Sequence, residues 1–351
     1  MADAPDALPR GCVRAFKTKS GQFVRCGSRV RSSCPSCAEL YRGDWAAIAR
    51  SGVFDARVER FRFYLLTLTA PSFGRVHRVP RSAGGRLKRC GCGSTHGAAD
   101  AGLRGVPLDP SRYDYAGQVA WNRDAGVLWD RTRRRLRDRW VTGEFFLVRE
   151  WQDRGVLHLH VLVRVAREEA PDARALREAA RTAEAASPVD GTIVAWGEQV
   201  DAKVFRADGD AARTIWYLSK ALNYVMKDTA LAAMDGRGSN LAWVHLTELG
   251  RAARMMRCSV DCVPGECPSR VHDRYGSRSH VVSASRQTLT RSGWSFSGLT
   301  RGRQRLARAA WAQAQETKEP APPSGEQQQD ARAALVLLTR RIDVARMAVL
   351  P

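Results

Sequence analysis

Between residues 145 and 163, two apolar, β-prone runs enclose a polar stretch that contains Gly155, which is the pattern of a β-hairpin. Side chains alternate across a strand, so His158 and His160 project together from one face while Leu159 turns into the opposite, packed face. With a loop over residues 151–155, Glu150 faces Val156, which keeps it on the histidine side and diagonal to His158. Two imidazoles on one face make a chelate, and Glu150 is the expected third ligand. An isolated His-x-His pair is more often incidental to an exposed strand; the rest of the chain reverses that weighting.

Residues 62–72 read as a central strand ended by Pro71. Residues 82–113 form a loop punctuated by Gly and Pro, 117–140 an Arg-rich helix, and 166–186 a charged helix. A strand over 192–205 precedes a helix for which Asp210 is the expected N-cap. In that helix Tyr217, Lys220, Tyr224 and Lys227 are offset by three, four and three residues, so they share one quadrant of its surface. Exposing a phenolate at pH 7 costs roughly 4 kcal/mol without a neighbouring cation or proton acceptor. Tyr224 has Lys220 and Lys227 on its two sides, whereas Tyr217 has Lys220 alone, so the local field favours Tyr224 as nucleophile. An amphipathic helix with snorkelling Lys is the plainer explanation for one Tyr-x-x-Lys, and less so for two behind a His-x-His hairpin.

Strand and helix alternate as in an α+β sheet domain. Residues 316–329 have linker composition, and 331–349 a short amphipathic helix. The domains expected are a Cys-rich zinc-binding module over 1–55, a catalytic domain over 56–235 with an inserted Cys/His loop at 82–113, a Cys/His- and Arg-rich DNA-binding region over 236–316, and a linker and helix over 317–351.

The formal net charge of the 351 residues is +21, and the basic residues are nearly all Arg. Such a balance calls for a polyanionic partner, and Arg forks onto phosphates and guanine edges, so nucleic acid leads. No apolar run is long enough to span a membrane and no leader is evident, which places the protein in the cytoplasm. Nine cysteines in a reducing compartment favour metal over disulfides. Cys12, Cys26, Cys34 and Cys37 make a four-Cys zinc site, with Cys34-Pro-Ser-Cys37 as its knuckle. Cys258, Cys262, Cys267 and His272 can close a second, and Cys90, Cys92 and His96 form a third group with three readings: a partial site, ligands contributed to either other cluster, or no metal at all.

Four motifs, in order, resemble the replication initiators of rolling-circle plasmids from actinobacteria, members of the His-hydrophobic-His nuclease superfamily. They are Leu66-Thr67-Leu68-Thr69-Ala70-Pro71-Ser72, the Glu150-x-Gln152-x-Arg154-Gly155-x2-His158-x-His160 hairpin, the paired Tyr-x-x-Lys, and a Cys-rich tail with Gly276-x2-Ser279-His280-x5-Arg286. The resemblance implies an antiparallel-sheet nuclease domain with Cys-rich zinc-binding flanking modules. It implies that two His and a carboxylate hold Mg²⁺ or Mn²⁺ on the scissile phosphate while a tyrosine attacks, leaving a 5′-phosphotyrosyl enzyme and a priming 3′-OH. The partners it implies are origin DNA, duplex and single-stranded, and host helicase and polymerase. Two departures stand out: relatives often have Tyr-x-x-Lys-Tyr, and others place a Glu where Lys220 stands.

Competing readings are a conjugative relaxase or transposase of the same superfamily, a non-haem iron oxygenase, and a non-enzymatic zinc-dependent DNA-binding regulator. An oxygenase needs neither the Tyr/Lys helix nor the charge. A relaxase usually places its tyrosine before the histidines, and a regulator makes no metal-dependent nick.

Overall fold

The structure is a computed structural model that describes residues 11–19, 21, 23–29, 31–54, 58–80, 87, 89–206, 240–278 and 281–316. The chain divides into two compact units, residues 1–300 and 301–351.

In the first unit a small ribbon of β1 (Phe16–Lys17) and β2 (Phe23–Val24) leads into α1 (Pro35–Ser51). Then come β3 (Phe61–Thr69), α2 (Tyr115–Arg139), β4 (Glu144–Trp151), β5 (Leu157–Ala166) and α3 (Ala173–Arg181). A second ribbon pairs β6 (Glu184–Ala186) with β7 (Ile193–Ala195), and β8 (Asp201–Phe205), α4 (Asn240–Met255) and β9 (Val282–Ala284) complete the order. The main sheet has five antiparallel strands in the order β8-β3-β5-β4-β9. Fold class is therefore mixed α+β, as the alternation of elements implied.

Both faces of the sheet are packed along most of β5, where all residues but His158 are buried. Leu157, Leu159, Val161, Val163 and Val165 pack with Trp121, Leu128, Trp129 and Leu136 of α2 and Leu176 of α3. On the opposite face Phe63, Phe146, Val148 and Leu162 pack with Ile48 and Ala49 of α1 and with Trp294. That second core ends at Leu162 along β5, and beyond it the same face carries His160 and His158.

Three expectations need correction. β3 is internal, but β5 lies at the middle of the sheet. The helix expected over 166–186 is confined to α3, because Pro171 interrupts the run and Asp172 caps the helix by accepting from the Ala175 amide at 2.7 Å. The strand expected over 192–205 is broken at Gly197, whose amide donates to Thr69 O at 2.8 Å and where a Cβ would lie 2.5 Å from Ala70 O. β7 thus belongs to the ribbon and β8 to the edge of the main sheet. Asp210, the Tyr/Lys helix and residues 317–351 lie outside the described residues. Among the described residues, no helix is long and apolar enough to cross a membrane. The described part of the second unit is α5 (Arg301–Glu316), whose first half carries Arg301, Arg303, Arg305 and Arg308.

Arg164 on β5 is wholly buried and fastens the second core. Its guanidinium donates to Gly52 O at 2.9 Å, Trp294 O at 2.5 Å and Gly293 O at 2.5 Å, and lies 3.6 Å from the centroid of the Phe296 ring. Gly52 ends α1 against the Trp294 indole, where a Cβ would sit 2.3 Å from the ring. Arg164→Met keeps the apolar stem and leaves three buried carbonyls without this donor, which should cost on the order of 3 kcal/mol in urea unfolding. A variant as stable as its parent would contradict the fastening role.

Candidate functional site

The β4–β5 hairpin turns through Asp153, Arg154 and Gly155. Gly155 donates to Gln152 O at 2.9 Å, Gln152 donates to Val156 O at 2.9 Å, and Gly155 has φ +73°. This is a β-turn closed by a glycine in the left-handed region, which makes a three-residue hairpin loop. The loop is shorter than the expected 151–155, and Glu150 pairs with His158 instead of Val156. The shift is two residues, so Glu150 stays on the histidine face.

Neighbouring strands complete that face. Thr67 of β3 pairs with His160 and Thr69 with His158. Thr69 Oγ1 lies 3.3 Å from His158 Nδ1, Thr67 Oγ1 lies 3.5 Å from His160 Nδ1, and Glu150 Oε2 lies 3.2 Å from His160 Nε2. His160 and Glu150 are buried and His158 is half-buried. With Thr67 facing Nδ1, the Nε2 atom of His160 is left for Glu150 and anything that binds there. A carboxylate oxygen and an imidazole nitrogen at 3.2 Å share a proton in a hydrogen bond, and both are ligand types that a divalent ion takes when it displaces that proton. His158 is not drawn as close: among the described residues, the groups whose ligand atoms all lie within 4.8 Å of one another are three Cys/His clusters.

Polar side chains from helices hold the hairpin turn in place. Gln118 Nε2 of α2 donates to Arg154 O at 2.8 Å, and Asn122, one turn on, donates to Gly155 O at 3.0 Å while accepting from the Leu157 amide at 3.0 Å. From α4, His245 Nε2 lies 3.1 Å from Arg154 O, and Leu249 packs where a Cβ on Gly155 would stand. Burial pushes the His245 pKa down to about 4, so the ring is neutral at pH 7 and its Nε2–H donates to that carbonyl.

A tetrahedral zinc ion sets two sulfurs about 3.8 Å apart, a sulfur and a nitrogen about 3.6 Å apart, and two nitrogens about 3.3 Å apart. Cys12, Cys26, Cys34 and Cys37 meet at the N-terminus of α1, with Cys12 Sγ 3.6 Å from Cys37 Sγ. Cys34 is the N-cap and Pro35 opens the helix, so the two knuckle thiols stand one turn apart. A backbone hydrogen bond from Cys37 holds the Cys34 thiol down at about 6, the thiolate state that metals take. Cys258, Cys262, Cys267 and His272 form a second cluster at the C-terminal end of α4. Cys258 Sγ is 3.7 Å from Cys267 Sγ, and Cys262 Sγ is 3.6 Å from His272 Nε2. His272 Nδ1–H donates to Ala253 O at 2.7 Å, which leaves Nε2 as the ligand atom. Arg123 of α2 ties this cluster inward by donating to Arg257 O at 2.9 Å. Cys90, Cys92 and His96 also lie together, and His77 stands with them.

Of the residues singled out from sequence, those of the hairpin share one face and those of each Cys group converge. Tyr217, Lys220, Tyr224 and Lys227 lie outside the described residues. The roles of Thr67, Thr69, Gln118, Asn122, His245 and His77 escaped the sequence reading. His77 had a signal: Cys90, Cys92 and His96 lacked a fourth ligand, and the chain has only seven histidines.

Antiparallel sheet, histidine face and metal-compatible clusters define a basic α+β protein equipped for metal. The family model described as RepSA: Replication initiator protein, pSAM2 matches residues 13–341, and the chain belongs to that family. A replication initiator protein of Streptomyces ambofaciens is 35% identical over 229 residues, a match covering 54% of this chain and 48% of the relative. The chain thus spans about half the length of the curated relative it matches. No solved structure matches it.

His245 predicts a pH dependence. Its pKa is about 4 folded against 6.5 for the free side chain, so the unfolded state takes up the proton first as pH falls. The stabilising contribution is full above pH 6.5 and is lost progressively down to about 4, amounting to about 3 kcal/mol. His245→Gln keeps a donor but does not titrate, and its unfolding free energy should fall less steeply than the parent's across that window. Parallel curves would rule the assignment out.

Proposed function

We propose that this protein initiates rolling-circle replication by nicking one strand of plasmid origin DNA and holding the cut end as a 5′-phosphotyrosyl ester. The observation that carries the reading is the β4–β5 register, which sets Glu150 opposite His158 and brings its carboxylate 3.2 Å from His160 Nε2 on a sheet face whose other half is apolar. Membership of a replication initiator family and the +21 charge support it.

His158, His160 and Glu150 are the residues that would hold Mg²⁺ or Mn²⁺. When bound, the ion withdraws charge from a non-bridging oxygen of the scissile phosphate. Thr67 and Thr69 orient the imidazoles, and burial of His160 and Glu150 limits access of bulk water to the ligand atoms. Tyr224 attacks phosphorus through its phenolate oxygen, which Lys220 and Lys227 stabilise, and the 3′ oxygen leaves and takes a proton to become the primer hydroxyl. Tyr217 accepts the strand at termination or supports the site. The Cys12/Cys26/Cys34/Cys37 and Cys258/Cys262/Cys267/His272 clusters hold structural Zn²⁺. Duplex and single-stranded origin DNA are the substrates, bound chiefly through Arg on phosphate, and host helicase and polymerase extend the primer.

Incubating the protein with a supercoiled plasmid that carries its own origin, plus Mn²⁺, should yield open circles whose DNA enters a gel only after protease treatment. Open circles free of protein, or none, would sink the phosphotyrosyl reading. His158→Ala and His160→Ala should abolish nicking yet leave duplex binding within about twofold, since Arg and not the ion neutralises phosphate. Glu150→Gln should raise the Mn²⁺ needed for half-maximal nicking about 10- to 100-fold, and an unchanged titration would leave Glu150 a structural role only. On a single-stranded origin oligonucleotide Tyr224→Phe should lose the covalent adduct and Tyr217→Phe retain it; the opposite pattern would reassign the nucleophile.

A further inference from the structure

The connection from β3 to α2 is long, and between residues 73 and 113 its regular structure is limited, among the described residues, to short 3₁₀ turns (Ala98–Leu103 and Pro110–Arg112) and isolated bridges. Few of its apolar side chains are buried, with Phe73, Val106 and Tyr113 the main ones. A connection of that length without a core of its own calls for a staple.

At its centre, four ligand-type side chains converge. His77 Nδ1 lies 3.1 Å from His96 Nε2 and 3.7 Å from Cys90 Sγ, and Cys92 Sγ lies 3.3 Å from His96 Nε2. These spacings are close to the about 3.3 Å and about 3.6 Å of a tetrahedral two-sulfur, two-nitrogen site. The outer contacts are those of a metal centre. Asp100 Oδ2 stands 3.6 Å from His96 Nδ1 and is itself held by the Gly97 amide at 2.9 Å, an arrangement that orients the ring with Nε2 inward. The Arg78 amide lies 3.4 Å from Cys90 Sγ, where it donates to a thiolate. Gly93, at φ +91°, closes the tight turn that carries both cysteines.

From this cluster a short path of backbone contacts reaches the hairpin. The His77 amide donates to Val106 O and the Leu108 amide to Arg75 O, each at 2.8 Å, so the two limbs of the loop are zipped together beside the cluster. Arg104 adds a bond from Nη2 to Pro80 O at 2.7 Å. Gly105, at φ +77°, then lies so close to the turn that a Cβ on it would stand 2.6 Å from the Arg154 amide nitrogen.

We infer that His77, Cys90, Cys92 and His96 form a Cys2His2 zinc site that clamps the described parts of this connection, residues 73–80 and 89–113, against the Asp153–Gly155 turn of the hairpin. His77 is the ligand that completes it. The inference is independent of the nuclease reading, because neither the metal count nor the order of the turn requires DNA to be cut.

The test uses full-length protein purified without chelator, with zinc measured per chain by elemental analysis and amide hydrogen exchange measured over residues 153–157. His77→Ala and Cys92→Ser should each carry one zinc equivalent fewer than the parent, and the turn amides should exchange roughly tenfold faster. Cys92 is exposed, so its serine variant spares the core should His77→Ala fold poorly. Zinc content equal to the parent's in Cys92→Ser would overturn the site. Loss of one equivalent with unchanged exchange over the turn would overturn the clamp.

Discussion

Asn122 accepts from the Leu157 amide and donates to the Gly155 carbonyl, and these two bonds fix where the β4–β5 hairpin turns. The placement of every polar group on the sheet depends on that position. A strand slipped by one residue would drive both histidines into the core under α2 and turn Leu157 and Leu159 outward. Gln118 and His245 hold the neighbouring carbonyl of Arg154, so the turn's backbone is paired to side chains from two helices. A turn buried against helices without such partners would leave peptide groups unpaired, which costs about as much as the bonds are worth.

One face of the sheet is mostly apolar, with Arg62, Arg149 and Ser283 as its polar members, and the other is packed over half its length. Where α1, Trp294 and Arg164 cover the second face, Phe63, Phe146 and Leu162 fill it; where that cover ends, the strands place Thr67, Thr69, Glu150, His158 and His160. The packed half keeps the strands in register, and the polar half uses that register. Among the described residues, three Cys/His clusters could each hold a metal ion. One sits at the start of α1, one at the end of α4, and one in the loop between β3 and α2.

The hairpin and its histidine face were legible in the sequence because alternation in a strand has no competitor at that spacing. Loop length was not, since residues 151–155 and 153–155 both suit the composition, and only Gly155 in the left-handed region selects the shorter turn. Both choices differ by two residues, so Glu150 fell on the right side with the wrong partner. Gln118 and Asn122 were invisible because polar residues near the start of an Arg-rich helix read as solvated. His77 stands 13 positions before Cys90, outside the tight spacing that marks a zinc knuckle, so only the count of ligands pointed to it. The Tyr/Lys helix lies outside the described residues, and its bearing on the histidine face is a reading of spacing and charge.

That the hairpin register creates a divalent-ion site is the central claim. Anomalous diffraction at the manganese edge, from crystals of the full chain grown with Mn²⁺, tests it directly. The expected result is one peak bonded to Glu150 Oε2 and His160 Nε2, with His158 swung in as the third protein ligand. Full zinc occupancy in the Cys/His clusters with no manganese density on the histidine face would contradict it.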